Sequence, residues 1–266
     1  MNPPKVDRAT LDFLRWVSER TATYDEAWDV WQTTCPRLST WEDSFIGSLV
    51  RTERPPGERH AIVALTPLGW SLLNGEGSPP VAGPLPDVET KRLSLRRFRV
   101  SDLDELAAVF AEPRVWEFPY GRPFTRAETE TFLDDQIRAW GELGFGSWAA
   151  RLRSSGRLIG FVGLSVPTFL PEILPAVEVG WRLAPDAWGH GYATEGATAA
   201  LDQAFTTLAL EQVCSVPQSD NPASIHVADR LGMRRVRAVT IPANERRGQV
   251  YGLLYEINRE EWVASR

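Results

Sequence analysis

The spacing of apolar positions changes several times along the chain, and each change marks an element. Leu11, Leu14 and Val17, with Phe13 and Trp16 beside them, predict an amphipathic helix; Tyr24 to Trp31 predicts a second and Ser39 to Leu49 a third, with Ser39 or Thr40 as its cap. A turn at Pro55-Pro56-Gly57, a β-rich run from His60 to Leu65, and a short helix opened by Thr66-Pro67 that ends near Asn74-Gly75 complete this first segment. The next twelve positions, GEGSPPVAGPLP, keep no apolar period and read as a linker. After it Arg92 to Phe98 alternates as a strand, Ser101 caps a helix reaching about Phe110, and Thr125-x-x-Glu128 forms a capping box before a helix on which Leu133, Ile137 and Trp140 share a face. Gly146 to Leu152 and Arg157 to Val166 read as a hairpin, Val177 to Leu183 as a central strand, Val213 to Val216 as another, and Val236 to Ile241 with Val250 to Ile257 as two closing strands.

The central strand matters most, because it leads into a glycine-containing loop. Val177 to Leu183 is apolar but carries Glu178 and Arg182, as a strand does when some positions face a site. Next comes Asp186-Ala187-Trp188-Gly189-His190-Gly191-Tyr192-Ala193, whose two glycines permit backbone angles and close approaches that a β-carbon forbids. From Ala193 the apolar positions Ala197, Ala200, Leu201, Ala204, Phe205 and Leu208 fall on one helical face. The loop therefore opens onto a helix N-terminus, where unpaired N–H groups and the helix dipole favour an anion such as a pyrophosphate. A dinucleotide fingerprint is excluded because Thr194 stands where its third glycine belongs, and no Gly-Lys-Ser/Thr comes after it as in a P-loop. A glycine-rich turn that only connects strand to helix accounts for the loop equally well when it is taken alone.

The loop resembles the acetyl-coenzyme A loop of the GNAT superfamily of N-acyltransferases, Gln/Arg-x-x-Gly-x-Gly/Ala, with Trp188, Gly191 and Ala193 at its fixed positions and Trp188 departing from the usual residue. Trp-Gly-x-Gly-Tyr-Ala-Thr-Glu is similar to the branch that includes the ribosomal-protein N-terminal acetyltransferases. A second segment, Asn221 to Met233, is by its own signals a short helix, with Asn221 as N-cap, Pro222 in the first turn and Gly232 as a left-handed C-cap. Its Asn-x-x-Ser and Leu-Gly-Met also resemble the matching helix of these acetyltransferases. The order strand, two helices, three strands, helix, strand, helix, two strands agrees with the GNAT fold, so the resemblance spans about Val88 to Trp262. It implies an α/β (α+β) fold with a central mixed, mostly antiparallel sheet flanked by helices.

The resemblance further implies acetyl transfer from acetyl-coenzyme A, as co-substrate, to a primary amine of a protein N-terminus or a small molecule such as an antibiotic. Backbone groups of Trp181, Arg182 and Leu183 are then expected along the pantetheine, and those of Gly189, His190, Gly191, Tyr192, Ala193 and Thr194 at the pyrophosphate. An exposed loop histidine would explain His190 as well. Asn221 is expected to contact the cofactor as in relatives, although capping alone accounts for it. Many relatives carry a tyrosine seven residues after that asparagine, and here the position is Ala228, which leaves the general acid in doubt. Ser224 takes that role, next to its plain reading as a first-turn serine. Glu178 is the expected base, or else a charge at the rim of the sheet; partial burial would raise its pKa toward neutrality. Trp116, Phe118, Tyr120 and Trp148 are candidate walls of the acceptor pocket, with core packing the commoner fate of a residue like Trp148.

Composition narrows this further. No run approaches eighteen uncharged apolar residues and no signal pattern opens the chain, which predicts a soluble, cytoplasmic protein without membrane association. The three histidines are scattered and the two cysteines, Cys35 and Cys214, fall in different segments, so neither a metal site nor a disulfide is expected. These readings divide the chain into a winged-helix-like domain over 1–75, a linker over 76–87 and a GNAT domain over 88–266. The winged-helix resemblance rests on helix, helix, helix, hairpin and the phrase Leu65-Thr66-Pro67-Leu68-Gly69, and it leaves open a regulator that senses acetyl-coenzyme A and binds DNA or a protein. Against DNA, residues 1–86 hold eight Lys or Arg and eleven Asp or Glu, a net of −3, and Ser39 to Leu49 has no basic residue. Docking to a protein partner or to a second copy is expected instead.

Overall fold

The computed structural model describes residues 8–19, 22–27, 49–53, 61–65, 85–167, 169–173, 176–243 and 247–264. The chain divides into two compact units, one formed chiefly by residues 1–81 and the other by 82–171 and 176–266.

In the first unit α1 (Arg8–Ser18) buries Phe13, Leu14 and Val17. Three short strands, β1 (Ala22–Thr23), β2 (Val50–Glu53) and β3 (Ile62–Leu65), make an antiparallel sheet in the order β1-β3-β2. Val50, Val63 and Leu65 join the α1 residues in one apolar cluster. The expected second helix is described only over Tyr24–Ala27, which is helical. The third helix, except for its last residue Leu49, and the helix after Thr66 lie outside the described residues, as does Cys35.

The second unit is an eight-stranded sheet in the order β10-β11-β9-β8-β7-β6-β5-β4. Its strands are β4 (Val88–Glu89), β5 (Leu93–Arg96), β6 (Ser147–Leu152), β7 (Leu158–Ser165), β8 (Glu178–Leu183), β9 (Gln212–Ser215), β10 (Arg234–Ile241) and β11 (Val250–Asn258). Every neighbouring pair is antiparallel except β8 with β9, so the sheet is mixed at its centre. Helices α2 (Leu103–Phe110), α3 (Arg126–Leu143), α4 (Tyr192–Thr206), α5 (Pro222–Arg230) and α6 (Arg259–Ala264) complete the expected order. One cluster packs Ala197, Ala200, Leu201, Ala204 and Phe205 of α4 against Ile159, Val162, Leu164 and Val179 of the sheet. A β-carbon on Gly196 would sit 3.1 Å from Val162, so this glycine is what lets α4 lie close on β7. A second cluster gathers Leu106 and Phe110 of α2, Leu133 of α3, and Trp116 and Phe124 of the intervening loop.

Local signals set several of these boundaries. The capping box at α3 forms both bonds, from Glu128 N–H to Thr125 Oγ1 at 3.2 Å and from Thr125 N–H to Glu128 Oε2 at 2.8 Å. Gly232, with φ of 76°, ends α5 as expected. Three expectations are corrected. Ser101 is exposed and caps nothing; Asp102 accepts from the Arg99 N–H and pairs with Arg96 at 2.5 Å, a contact from β5 that no local pattern announces. Ile137 is 36% exposed, apart from Leu133 and Trp140 at 1% and 5%. The stretch read as the end of the linker belongs to the second unit, since Leu85 is fully buried and its N–H donates to Gly144 O at 2.8 Å. No described helix is long and apolar enough to cross a membrane.

Candidate active site

Strand β8 is paired along its whole length with β7, from Glu178 opposite Ser165 to Leu183 opposite Gly160, but with β9 only where Glu178 meets Cys214. There the Cys214 N–H donates to Val177 O at 2.9 Å, and beyond it the two strands part. Because backbone groups alternate along a strand, those of Trp181 and Leu183 point to the same edge as Val177, into the opening. The backbone of Arg182 points the other way, to its partner Phe161 on β7, which removes it from the three residues whose main chain is expected to line the pantetheine. The Leu183 carbonyl is already engaged, by the Trp188 indole N–H at 2.7 Å.

The glycine loop lies at the end of this opening. Gly189 and Gly191 have φ of 74° and 76°, in the left-handed region where other residues are strained, and Gly191 is the N-cap of α4. No side chain caps α4, so its first-turn N–H groups remain available to an anion. The loop is held from outside by Arg92, which donates from Nη1 to His190 O at 2.8 Å and from Nε to Glu195 Oε2 at 2.6 Å and lies 4.7 Å from the centre of the Tyr192 ring. Glu195 also accepts from Thr90 Oγ1 at 2.6 Å and from the Arg92 N–H at 2.7 Å. Burial is the largest influence on that carboxyl and pushes its pKa up, yet the bonds from Thr90 and Arg92 outweigh it and hold the value below the usual range. The two ends of this clamp are about a hundred residues apart in sequence, so no motif could have shown it. His190 is exposed, and its carbonyl, not its ring, is what Arg92 anchors.

Two cavities meet where β8 and β9 part. One of about 470 Å³ is lined by Trp181, Leu183, the loop from Trp188 through Thr194 except His190, and the first turns of α5. The other, of about 370 Å³, is lined by Trp116, Phe118, Tyr120, Glu178, Arg182 and further residues. Phe118, Trp181, Arg182, Asn221 and Ser224 border both. Ser224 thus sits at the junction, in the first turn of α5, with its N–H donating to Asn221 Oδ1 at 3.1 Å. That bond is the capping role anticipated for Asn221. Ala228 is fully buried, so the position where many relatives carry a tyrosine is filled here by core.

Of the four aromatic wall candidates, Trp148 is not at the cavity. It is fully buried on β6 beside Trp140, its indole N–H donating to Pro86 O at 3.3 Å, because successive strand positions alternate between faces and 148 falls on the α4 side. Trp116 does line the cavity, stacked on Phe124 at 3.7 Å.

Electrostatics single out two residues of β8 on one face. Burial pushes the Glu178 carboxyl up to about 7, while the Val216 N–H, donating to it at 3.1 Å, works in the opposite direction. Burial likewise lowers the Arg182 guanidinium to about 10, which leaves it charged at neutral pH. Its Nη1 donates to the carbonyls of Val115 and Phe118, the latter at 2.7 Å, and its Cζ lies 3.9 Å from the centre of the Trp116 ring. No sequence pattern announces this fastening of the Trp116 loop to β8, since it joins side chain to main chain across more than sixty residues. The buried Cys214 thiol is pushed up by burial and, secondarily, by Glu178, and so stays protonated and unreactive. Among the described residues no group of three or more His, Cys, Asp or Glu side chains is placed to hold a metal ion.

Comparison with known proteins places this arrangement. Residues 92–234 match the model of the acetyltransferase (GNAT) domain. The FsC-acetyl coenzyme A-N(2)-transacetylase of Aspergillus fumigatus is 30% identical over 194 residues, covering 67% of this chain and 78% of that one. Among solved structures, an acetyltransferase from Agrobacterium tumefaciens is 28% identical and covers 65% of this chain and 95% of its own, with a TM-score of 0.54. The ribosomal-protein-S5-alanine acetyltransferase of Vibrio fischeri shares the fold at 18% identity, covering 66% of this chain and 98% of its own, with a TM-score of 0.53.

Proposed function

The chain belongs to the GNAT family of acetyltransferases, and from that premise we propose that it moves an acetyl group from acetyl-coenzyme A to a primary amine of a small molecule or a protein N-terminus, both substrates being held at once. One observation carries this reading: the two cavities share a wall at the opening of β8 and β9, so a thioester in one and an amine in the other come together there.

The cofactor is proposed to occupy the larger cavity. Its pyrophosphate is taken by the loop amides from Gly189 to Thr194, and its pantetheine pairs with the backbone of Trp181 and Leu183 like an added strand. The amine enters the smaller cavity as the ammonium ion and loses a proton to Glu178, directly or through a water. A carboxyl whose pKa lies near 7 exists as the base in a useful fraction at neutral pH. The amine nitrogen then attacks the thioester carbon, the C–S bond breaks with its electron pair leaving on sulfur, and the surplus proton still on nitrogen passes to that sulfur by way of the Ser224 hydroxyl or a water, giving the amide and the coenzyme A thiol. Ser224 borders both cavities, and on this reading its hydroxyl donates to the departing sulfur, with α5's positive dipole end adding to the stabilisation. The test is amine-dependent release of free thiol from acetyl-coenzyme A across a panel of amines and short peptides, together with calorimetry of acetyl-coenzyme A. Thiol release that never depends on an added amine, or absence of cofactor binding, would contradict the proposal.

A further inference from the structure

Arg182 is more than a fastening. It borders both cavities, yet no carboxylate pairs with it among the described residues. Of its three nitrogens, Nη1 is spent on two main-chain carbonyls, Nε is buried without a partner, and Nη2 has no acceptor among those residues. A fastening to carbonyls needs donors but no charge, and a half-buried positive charge without an anion is costly.

The residue stacked beneath it repeats the pattern. Trp116 is 5% exposed, lines the same cavity, and its indole N–H is also buried without an acceptor. Buried donors are nearly always satisfied in proteins, so two adjacent orphans on one cavity wall mark a place built for an acceptor that arrives from outside. Among the described residues the charged side chains lining this cavity are Arg182, Arg247 and Glu178, a balance that suits a polyamine poorly. Phe118, Tyr120 and Phe161 are among its apolar and aromatic lining.

We propose that Arg182, with the Trp116 indole N–H beside it, recognises a carboxylate carried by the acceptor, so that the acceptor is an amine and an acid in one molecule with an apolar body: an amino acid or a short peptide. The inference rests on the acetyltransferase reading above, because it assigns the smaller cavity to the acceptor. Arg182 is on this account a specificity residue; its guanidinium can bind a carboxylate through strong, charge-assisted hydrogen bonds.

The experiment compares matched acids and amides: phenylalanine, methionine and glycyl-phenylalanine against their C-terminal amides, with spermidine as the cationic control. In the wild type at least one acid should exceed its amide about tenfold in kcat/KM. Arg182→Gln, which keeps side-chain donors but not the charge, should erase that ratio, and Arg182→Lys should keep part of it. Trp116→Phe, which keeps the ring but not the N–H, should lower it two- to fivefold. General damage to the loop would depress acid and amide alike and leave the ratio intact. Titrating N-acetylphenylalanine against its amide reads the same preference without turnover. Acetyl-coenzyme A calorimetry on the wild type separates the two failures: no cofactor binding overturns the acetyltransferase site. Amides or spermidine equal to or better than the acids in both assays, or an acid-to-amide ratio unchanged in Arg182→Gln, would overturn the role of Arg182.

Discussion

The two cavities are built in opposite ways. The cavity proposed for the cofactor presents a glycine loop, an uncapped helix end and the free edge of β8, mostly from the stretch between Trp181 and Thr194 and from α5, with Arg114, Val115, Glu117 and Phe118 at its border. The cavity proposed for the acceptor is lined by segments far apart in sequence, from Trp116 to Arg247. Main-chain recognition suits a ligand that does not vary, because it depends on backbone geometry and hardly on residue identity. Side-chain recognition can be altered without disturbing the first, as a family with one donor and many acceptors requires.

That contrast can be broken by mutation, and the largest effect should come from the loop. Gly191→Glu adds a side chain at φ of 76° and a negative charge where the pyrophosphate is proposed to lie. Calorimetry should show acetyl-coenzyme A affinity reduced more than a hundredfold, while backbone strain of about 1–2 kcal/mol leaves the protein folded. Affinity within threefold of wild type would remove the loop from the cofactor site.

Glu178→Gln tests the meeting point. Loss of the base should lower kcat/KM by about 10²- to 10⁴-fold. In the wild type the rate should rise with pH through about 7, as the carboxyl loses its proton, and the variant should lack that limb. Stability should move in the opposite direction. A carboxyl raised from 4.5 to about 7 by folding binds its proton more tightly in the native state, so the contribution is present at low pH and is lost as pH rises from about 4.5 to 7. Above pH 7 the variant, which avoids burying the charge, should be more stable by about 1–3 kcal/mol in denaturant titrations. An unchanged pH profile would assign the proton to another group.

Glu195→Gln should act on cofactor binding alone. Weakening the bonds that tie α4 to Thr90 and Arg92 should raise the acetyl-coenzyme A KM about three- to tenfold with little change in kcat. An equal fall in kcat would show that the clamp reaches the chemistry. Ser224→Ala should do the reverse, with turnover falling severalfold to tenfold and cofactor affinity nearly constant, since a donor to the leaving group acts in the transition state. Unaltered turnover would return Ser224 to an ordinary first-turn serine. The smallest expected signal comes from the first unit. With eight basic and eleven acidic residues over 1–86, the full-length protein should show no salt-sensitive binding to mixed-sequence duplex DNA tighter than about micromolar in anisotropy titrations. Tighter binding would favour a nucleic-acid role over docking to a protein.

The same contrast explains what the sequence could reveal. The loop, its helix, the Thr125–Glu128 box and the Asn221 cap were readable because each is a contact between residues at most four apart or a conformation that only glycine tolerates. The succession of elements along the chain carries the family resemblance, and that resemblance implies the mixed, mostly antiparallel sheet. Trp148 and Trp116 carry the same side chain, and only tertiary packing sends one into the core and the other to the cavity wall. Glu178 and Arg182 stand out on their strand, but the fastening of Arg182 stays hidden, since its partners Val115 and Phe118 lie more than sixty residues upstream. Leu85 looked like linker because its neighbours are proline and glycine, yet a bond to Gly144 folds it into the second unit.

The opening between β8 and β9 is where the proposed chemistry is centred, and a crystal structure with coenzyme A bound tests it most directly. The pantetheine should lie between the two strands with its amide groups bonded to the backbone of Trp181, the pyrophosphate on the amides from Gly189 to Thr194, and the thiol facing Ser224 with Glu178 across the junction. Coenzyme A bound elsewhere, or bound there with its thiol directed away from Glu178, would contradict it.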